Sequence, residues 1–340
     1  MNQQDLSAIA RAMVAKNKGI LAADESTSTI GKRFNGIKLD STEESRRTYR
    51  ELLFTTPGAS EYISGVILYD ETIHQKTKDG TPFPTYLTKL GILPGIKVDT
   101  GAKPLAGFPG ETITEGHDGL RERLADYHKL GARFAKWRAV IDIGTGIPTA
   151  YAIEANAAAL ARYAALCQEA GIVPIVEPEV LMDGAHTIER CEEVTSVVLQ
   201  RVFSHLFAAK VFLEGIVLKP NMIVPGKKSG QKVTPNQVAE ATLRVLKEHV
   251  PSAVPGIAFL SGGQSSVAAT EHLNLINSAG PLPWVVTFSY GRALQDNALA
   301  AWSGHANTFG LGQDALFKRA KLNGLAAVGA YKASMEDAAA

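Results

Sequence analysis

An α/β barrel of eight strand–helix units is what this sequence predicts, and three features predict it. Eight short apolar runs alternate with longer segments of helical period over 340 residues. The turn after the first run is not glycine-rich. Polar residues collect at the C-terminal ends of the runs. Alternation implies parallel pairing, because a parallel crossover needs a helix-length connection. Eight such units in roughly this length form a closed (β/α)8 TIM barrel. The competing doubly wound sheet opens with a GxGxxG turn, and "AADESTST" is nothing of the kind.

The elements follow in order. Residues 1–19 place Leu6, Ile9, Met13 and Val14 at helical spacing, which predicts an extra N-terminal amphipathic helix and no signal peptide. The runs are 19–26, 63–71, 95–101, 132–140, 172–180, 214–222, 256–264 and 284–292. Helical patterns fill 43–54, 149–170, 186–210, 235–249, 265–278, 293–303 and, as an extra C-terminal helix, 312–327. "STEE" at 41–44 is a helix-start signal, and Gly171 stops the Ala-rich helix before it. The stretch 73–95, with Pro82, Pro84 and Pro94, is expected to be an irregular insertion. No linker divides the chain, so one catalytic domain over 1–340 is expected, with a short tail at 328–340.

With 35 basic and 34 acidic residues, the net charge is +1. No overall field recruits nucleic acid or an anionic membrane, so any anion site must be local. Asn, Gly and Pro interrupt the uncharged 273–291 stretch, which excludes a span. Cys167 and Cys191 both fall in helical segments and allow at most one chance disulfide. A reducing, cytoplasmic location is expected.

Side chains two apart on a strand share a face. Lys136 therefore points with Arg138 and against Trp137, Glu177 points with Glu179, and Lys97 points with Asp99. If those faces line the barrel, one cavity holds Asp24, Lys97, Lys136, Glu177, Glu179 and Lys219. The competing reading, a solvated ring of ion pairs, is worth little to stability. Six matched positions spread over five runs favour the cavity. The eight histidines show no metal-ligand spacing and are expected at the surface or at helix caps.

A lysine attacks a carbonyl only when neutral, and an ordinary one is almost wholly protonated at pH 7. An apolar wall and a second cation favour the free amine. In "GIVLKPNM", Lys219 has the wall of Ile216, Val217 and Leu218, with Lys136 and Arg138 on a nearby run. Glu177 and Glu179 lie between these cations, where a proton shuttle is needed. Schiff-base chemistry without a metal or other cofactor is the expectation. "LSGGQSS" (260–266) and "FSYGRAL" (288–294) set Ser261, Gly262, Gly263, Ser289, Gly291 and Arg292 after the seventh and eighth runs. Barrels often bind phosphate there. Ser26, Thr29, Lys32 and Arg33 offer a second anion site after the first run. Two anion sites flanking a lysine suit a doubly phosphorylated substrate.

The motifs "LAADESTSTIGKR", "GVILYDETI", "GIKVDTG", "FAKWRAV", "IVPIVEPEVL", "EGIVLKPNM", "GIAFLSGGQS" and "TFSYGRAL" resemble those of the class I fructose-bisphosphate aldolases, from about residue 5 to about 330. The resemblance implies reversible cleavage of fructose 1,6-bisphosphate to dihydroxyacetone phosphate and glyceraldehyde 3-phosphate, in glycolysis and gluconeogenesis. It implies Lys219 as the Schiff-base residue and Glu177 as the acid/base. Asp24 would lie near the breaking bond, Lys136 would stabilise charge, and Glu179 would hold the lysines. Ser261, Gly262, Gly291 and Arg292 would bind the ketone-side phosphate, and Ser26, Thr29, Arg33 and Lys97 the aldehyde-side end. Arg138, Gly263 and Ser289 join the substrate-binding set. A homotetramer acting on small sugar phosphates is implied. Thr29 stands where the family often has serine. The terminal tyrosine common in the family has no match in "YKASMEDAAA", whose tyrosine is Tyr331. The alternatives are another Schiff-base sugar-phosphate barrel, transaldolase-like, and a non-catalytic scaffold of the same fold.

Overall fold

A computed structural model of the chain describes residues 3–337. Its first half runs α1 (Gln3–Met13), β1 (Gly19–Ala22), α2 (Thr27–Asn35), α3 (Glu43–Phe54), β2 (Ile63–Leu68), α4 (Asp70–His74), α5 (Phe83–Lys89), β3 (Leu93–Lys97), β4 (Gly101–Pro104), β5 (Thr112–Glu115), α6 (Leu120–Lys129) and β6 (Phe134–Ile141). The second half is more regular: α7 (Ala150–Glu169), β7 (Val173–Val180), α8 (Ile188–Ala208), β8 (Val217–Leu218), α9 (Pro235–His249), β9 (Gly256–Phe259), α10 (Ser266–Ser278), β10 (Val285–Tyr290), α11 (Arg292–Trp302) and α12 (Phe309–Ala326).

Eight strands close into a parallel barrel in the order β1, β2, β3, β6, β7, β8, β9, β10 and back to β1. Each of the eight apolar runs supplies one. The strands are shorter than the runs because the polar C-terminal end of most runs leaves the ladder. The run 214–222 gives only Val217–Leu218, although the Lys219 N–H still donates to Val176 O at 2.8 Å. Pro220 then has no N–H to continue.

The helix starts follow local chemistry. Thr42 and Ser45 cap α3 reciprocally, and Thr149, Thr187 and Thr234 cap α7, α8 and α9. The stretch 73–95 is more ordered than its prolines suggest. It contains α5, which starts beside Pro82 and Pro84. Proline's fixed φ suits a first helical turn, so these residues begin a helix rather than prevent one. The antiparallel hairpin of β4 and β5 was not expected. It lies against β6, with Thr114 Oγ1 donating to Arg138 O at 2.7 Å and Thr112 Oγ1 to Val140 O at 3.1 Å.

Two apolar clusters build the core. The larger lies between barrel and helices. The smaller fills the barrel and joins Ile20, Ala22, Ile67, Phe134, Val173, Ile175, Val217 and Ala258 to Leu6, Ala10, Met13 and Val14 of the N-terminal segment. Phe134 occupies the space left by Gly95, where a Cβ would collide with its ring. Val14 packs on Gly256 in the same way, so the N-terminal helix closes the barrel at the strand starts. Cys167 and Cys191 are both free and buried. Of the expected tail, residues 338–340 lie outside the described residues. Before them Tyr331 is tucked in, with its hydroxyl donating to Glu336 Oε1 at 2.9 Å.

Candidate active site

Four barrel strands repeat one pattern. Ala22, Phe134, Ile175 and Val217 belong to the apolar filling. Two residues further on, on the same face, stand Asp24, Lys136, Glu177 and Lys219. The lumen thus changes from apolar to charged within one pleat and opens into a cavity of 740 Å³ at the C-terminal ends of the strands.

Asp24, Ser26, Thr29, Arg33, Lys97, Lys136, Arg138, Glu177, Glu179, Lys219, Ser261, Gly262, Ser289, Gly291 and Arg292 all line it. Of the expected site residues, Lys32 and Gly263 stand outside that lining; Gly263 follows Gly262 at the rim.

The charges are closely interlocked. Glu177 bridges two lysines, with Oε1 3.1 Å from Lys219 Nζ and Oε2 3.5 Å from Lys136 Nζ. Lys136 also meets Asp24 at 2.8 Å and Asp99 at 3.7 Å. Lys97 pairs with Asp99 at 2.7 Å, and Arg138 pairs with Glu179. Lys136, Glu177 and Lys219 are each at most 4% exposed, so their pairing offsets a large desolvation cost. Burial pushes against the Lys136 ammonium, but Asp24, Glu177 and Asp99 outweigh it and hold the group charged well above the ordinary lysine range. Burial likewise raises Asp24, yet Lys136, Lys219 and Lys97 prevail and keep its carboxyl well below the usual range. The two lysines therefore differ in setting: three carboxylates surround Lys136, whereas among the described residues Lys219 is ion-paired with Glu177 alone. Glu177 Oε2 and Ser289 Oγ are buried without a hydrogen-bond partner in the protein.

A second charged group adjoins the first. Glu25 holds Arg33 at 2.5 Å and Arg50 at 2.7 Å, and it accepts from Gln295 Nε2 at 3.1 Å. Arg33 Nη2 lies 3.7 Å from where a Cβ at Gly291 would stand. The expectation placed Arg33 at the opposite end of the substrate from Gly291; the fold sets them side by side.

Sequence reasoning left three residues out of the site. Asp99 was legible by parity with Lys97. Glu25 lies just beyond the end of β1, where strand alternation no longer applies, and it lines the same cavity as Asp24. Arg50 arrives from α3 with no local signal. Two histidines depart from their expected surface or capping positions. His272 is buried on α10, where Nδ1 lies 2.6 Å from Gln264 Oε1, and burial lowers it to about 4. His186 is buried in the loop after β7. Among the described residues no group of His, Cys, Asp or Glu could hold a metal ion. Tyr331 is not part of the cavity lining.

The family model for fructose-bisphosphate aldolase class-I matches residues 5–340. The chain belongs to that family. A "Probable fructose-bisphosphate aldolase class 1" of Xanthomonas campestris pv. campestris is 57% identical over 333 residues, covering 98% of this chain and 100% of the relative. The cytosolic fructose-bisphosphate aldolase 4 of Arabidopsis thaliana is 55% identical, covering 93% of this chain and 80% of that one. Fructose-bisphosphate aldolase from Plasmodium falciparum, solved in complex with TRAP and a small-molecule inhibitor, superposes with a TM-score of 0.96 at 49% identity, covering 97% of this chain and 96% of that chain. The chain is thus a class I aldolase, a metal-independent lyase of glycolysis that cleaves fructose 1,6-bisphosphate reversibly. The transaldolase-like and scaffold alternatives give way to it.

Proposed function

We propose that Lys219 is the Schiff-base residue of this aldolase and that Glu177 manages its protons. The observation that carries this is the Glu177 bridge, 3.1 Å from Lys219 and 3.5 Å from Lys136. Lys136 is locked as an ammonium by three carboxylates, so Lys219 is the lysine left to act as the amine. Its Nζ adds to the ketone carbon of the sugar. Glu177 then supplies the proton with which the carbinolamine oxygen leaves as water, giving an iminium. Asp24 accepts the proton of the C4 hydroxyl, the C3–C4 bond breaks, and its electron pair flows into the iminium to give an enamine. The aldehyde departs, and protonation of the enamine at C3 followed by hydrolysis releases the ketone. Lys136 steadies the carboxylates through the cycle, and Glu179 with Arg138 completes the charged wall.

Ser261, Gly262, Gly263, Ser289, Gly291 and Arg292 form the ketone-side phosphate site in this reading, and Arg33 joins them because it lies beside Gly291. Ser26, Thr29 and Lys97 serve the other end. Dihydroxyacetone phosphate and borohydride together should attach the ligand covalently to Lys219, located by peptide mass spectrometry. A label on Lys136, or none, would sink the assignment. We further propose one catalytic domain working without a cofactor, in the cytoplasm, as a homotetramer and in gluconeogenesis too. Relatives described as cytosolic in Arabidopsis and cytoplasmic in spinach support the location.

A further inference from the structure

The loops after β7, β8 and β9 meet at one edge of the cavity. Backbone bonds lace the first two together: Lys227 N–H to Met182 O at 2.8 Å, Lys228 N–H to Gly184 O at 2.9 Å, and Gly226 N–H to His186 O at 2.8 Å. Gly226 fits there because a Cβ would collide with Gly184 O. The ladder sets the backbone of Lys227, so its side chain starts from a defined place. That side chain reaches the third loop. A Cβ at Gly263 would stand 2.6 Å from Lys227 Nζ and 3.1 Å from Arg292 Nη2. Two cations, one from the loop after β8 and one from the first turn of α11, thus converge on one spot of the glycine turn, where φ is 59° at Gly262 and 92° at Gly263. Only a residue without a side chain leaves that spot open at low cost. Asp183 now holds Lys227, at 2.7 Å. The hydrogen bond from Lys227, with the charges of Arg292 and Arg138, keeps the Asp183 carboxyl below the ordinary range. The fields of all three cations therefore overlap at this edge.

We propose that Lys227 is a substrate-binding residue that closes on the ketone-side phosphate opposite Arg292, exchanging the Asp183 carboxylate for a phosphate oxygen. The proposal rests on the reading that the 261–263 turn and Arg292 bind phosphate. A phosphate dianion accepts several charge-assisted hydrogen bonds at once, which a single arginine does not exhaust. Asp183 keeps the lysine paired and correctly placed while the site is free.

The test uses the full-length enzyme and compares dihydroxyacetone phosphate with dihydroxyacetone, which lacks the phosphate, in borohydride trapping. Lys227→Met keeps the length and removes the charge. It should raise the half-saturating concentration of dihydroxyacetone phosphate about tenfold, leave dihydroxyacetone unchanged, and raise KM for fructose 1,6-bisphosphate with little loss of kcat. Asp183→Asn removes the competing carboxylate and should tighten dihydroxyacetone phosphate several-fold. Arg292→Met is the control. If it weakens dihydroxyacetone phosphate while Lys227→Met does not, the role of Lys227 is overturned and the phosphate site stands. If neither variant changes it, the phosphate reading falls as well. Equal weakening of both ketones by Lys227→Met, or weaker binding in Asp183→Asn, also overturns the proposal.

Discussion

The two ends of the barrel lumen share the same strands but carry opposite chemistry. At the strand starts, Phe134, Ile175 and Val217 are fully buried among Leu6, Ala10 and Met13, and glycines make room for them. At the strand ends, Lys136, Glu177 and Lys219 are nearly as buried, yet they sit in a network of ion pairs. The first arrangement gains stability from apolar area removed from water. The second at best breaks even, since desolvating each charge costs several kcal/mol before pairing offsets it. Burial alone therefore does not separate a structural residue from a catalytic one. The type of partner does.

Substitutions at the two ends should separate the two jobs. The largest effect is expected from Lys219→Met. It should lower kcat by on the order of 10⁴–10⁶ and abolish borohydride trapping, while thermal unfolding stays level or moves upward. Glu177 keeps an ion-pair partner in that variant, Lys136 at 3.5 Å. A fall in stability comparable to a core truncation would break the comparison. Next in size is Phe134→Ala at the opposite end. It should cost about 3–5 kcal/mol in denaturant unfolding, with the folded fraction retaining its kcat. A large loss of kcat per folded molecule would show that the apolar filling positions the charges above it.

The smallest effect sharpens the contrast in acid. His272 is a buried shell histidine lowered from 6.5 to about 4, held by one neutral hydrogen bond instead of opposite charges. The unfolded chain binds its proton first, so its contribution is complete above pH 6.5 and lost as pH falls towards 4. The loss amounts to about 3 kcal/mol at full effect. Asp24 stays ionised through that window because its carboxyl is held low. His272→Gln should flatten the stability profile between pH 6.5 and 4, measured by chemical denaturation, and an unchanged slope would place the acid sensitivity elsewhere.

Much of the barrel and its site can be read from local pattern. The eight runs became its eight strands, and alternation along single strands placed Lys136, Arg138, Glu177 and Glu179 on one face. The prolines at 82–84 misled because the same residue both ends strands and begins helices. Asp99 could have been assigned by the parity already applied to Lys97.

The sequence by itself determined the period of each element, the strand ends where polarity begins, and the lysine that follows an apolar wall. These depend on neighbours within a few residues, through backbone sterics and side-chain alternation. Only the closed barrel decided which charges meet. Lys136 gained Asp24, Asp99 and Glu177 from three other segments, Arg33 came to lie beside Gly291, and Lys227 reached Gly263. Those pairings depend on how strands tilt and close around the axis and on how the loops pack above it. No local rule contains that rotation, so it was settled by packing the whole lumen.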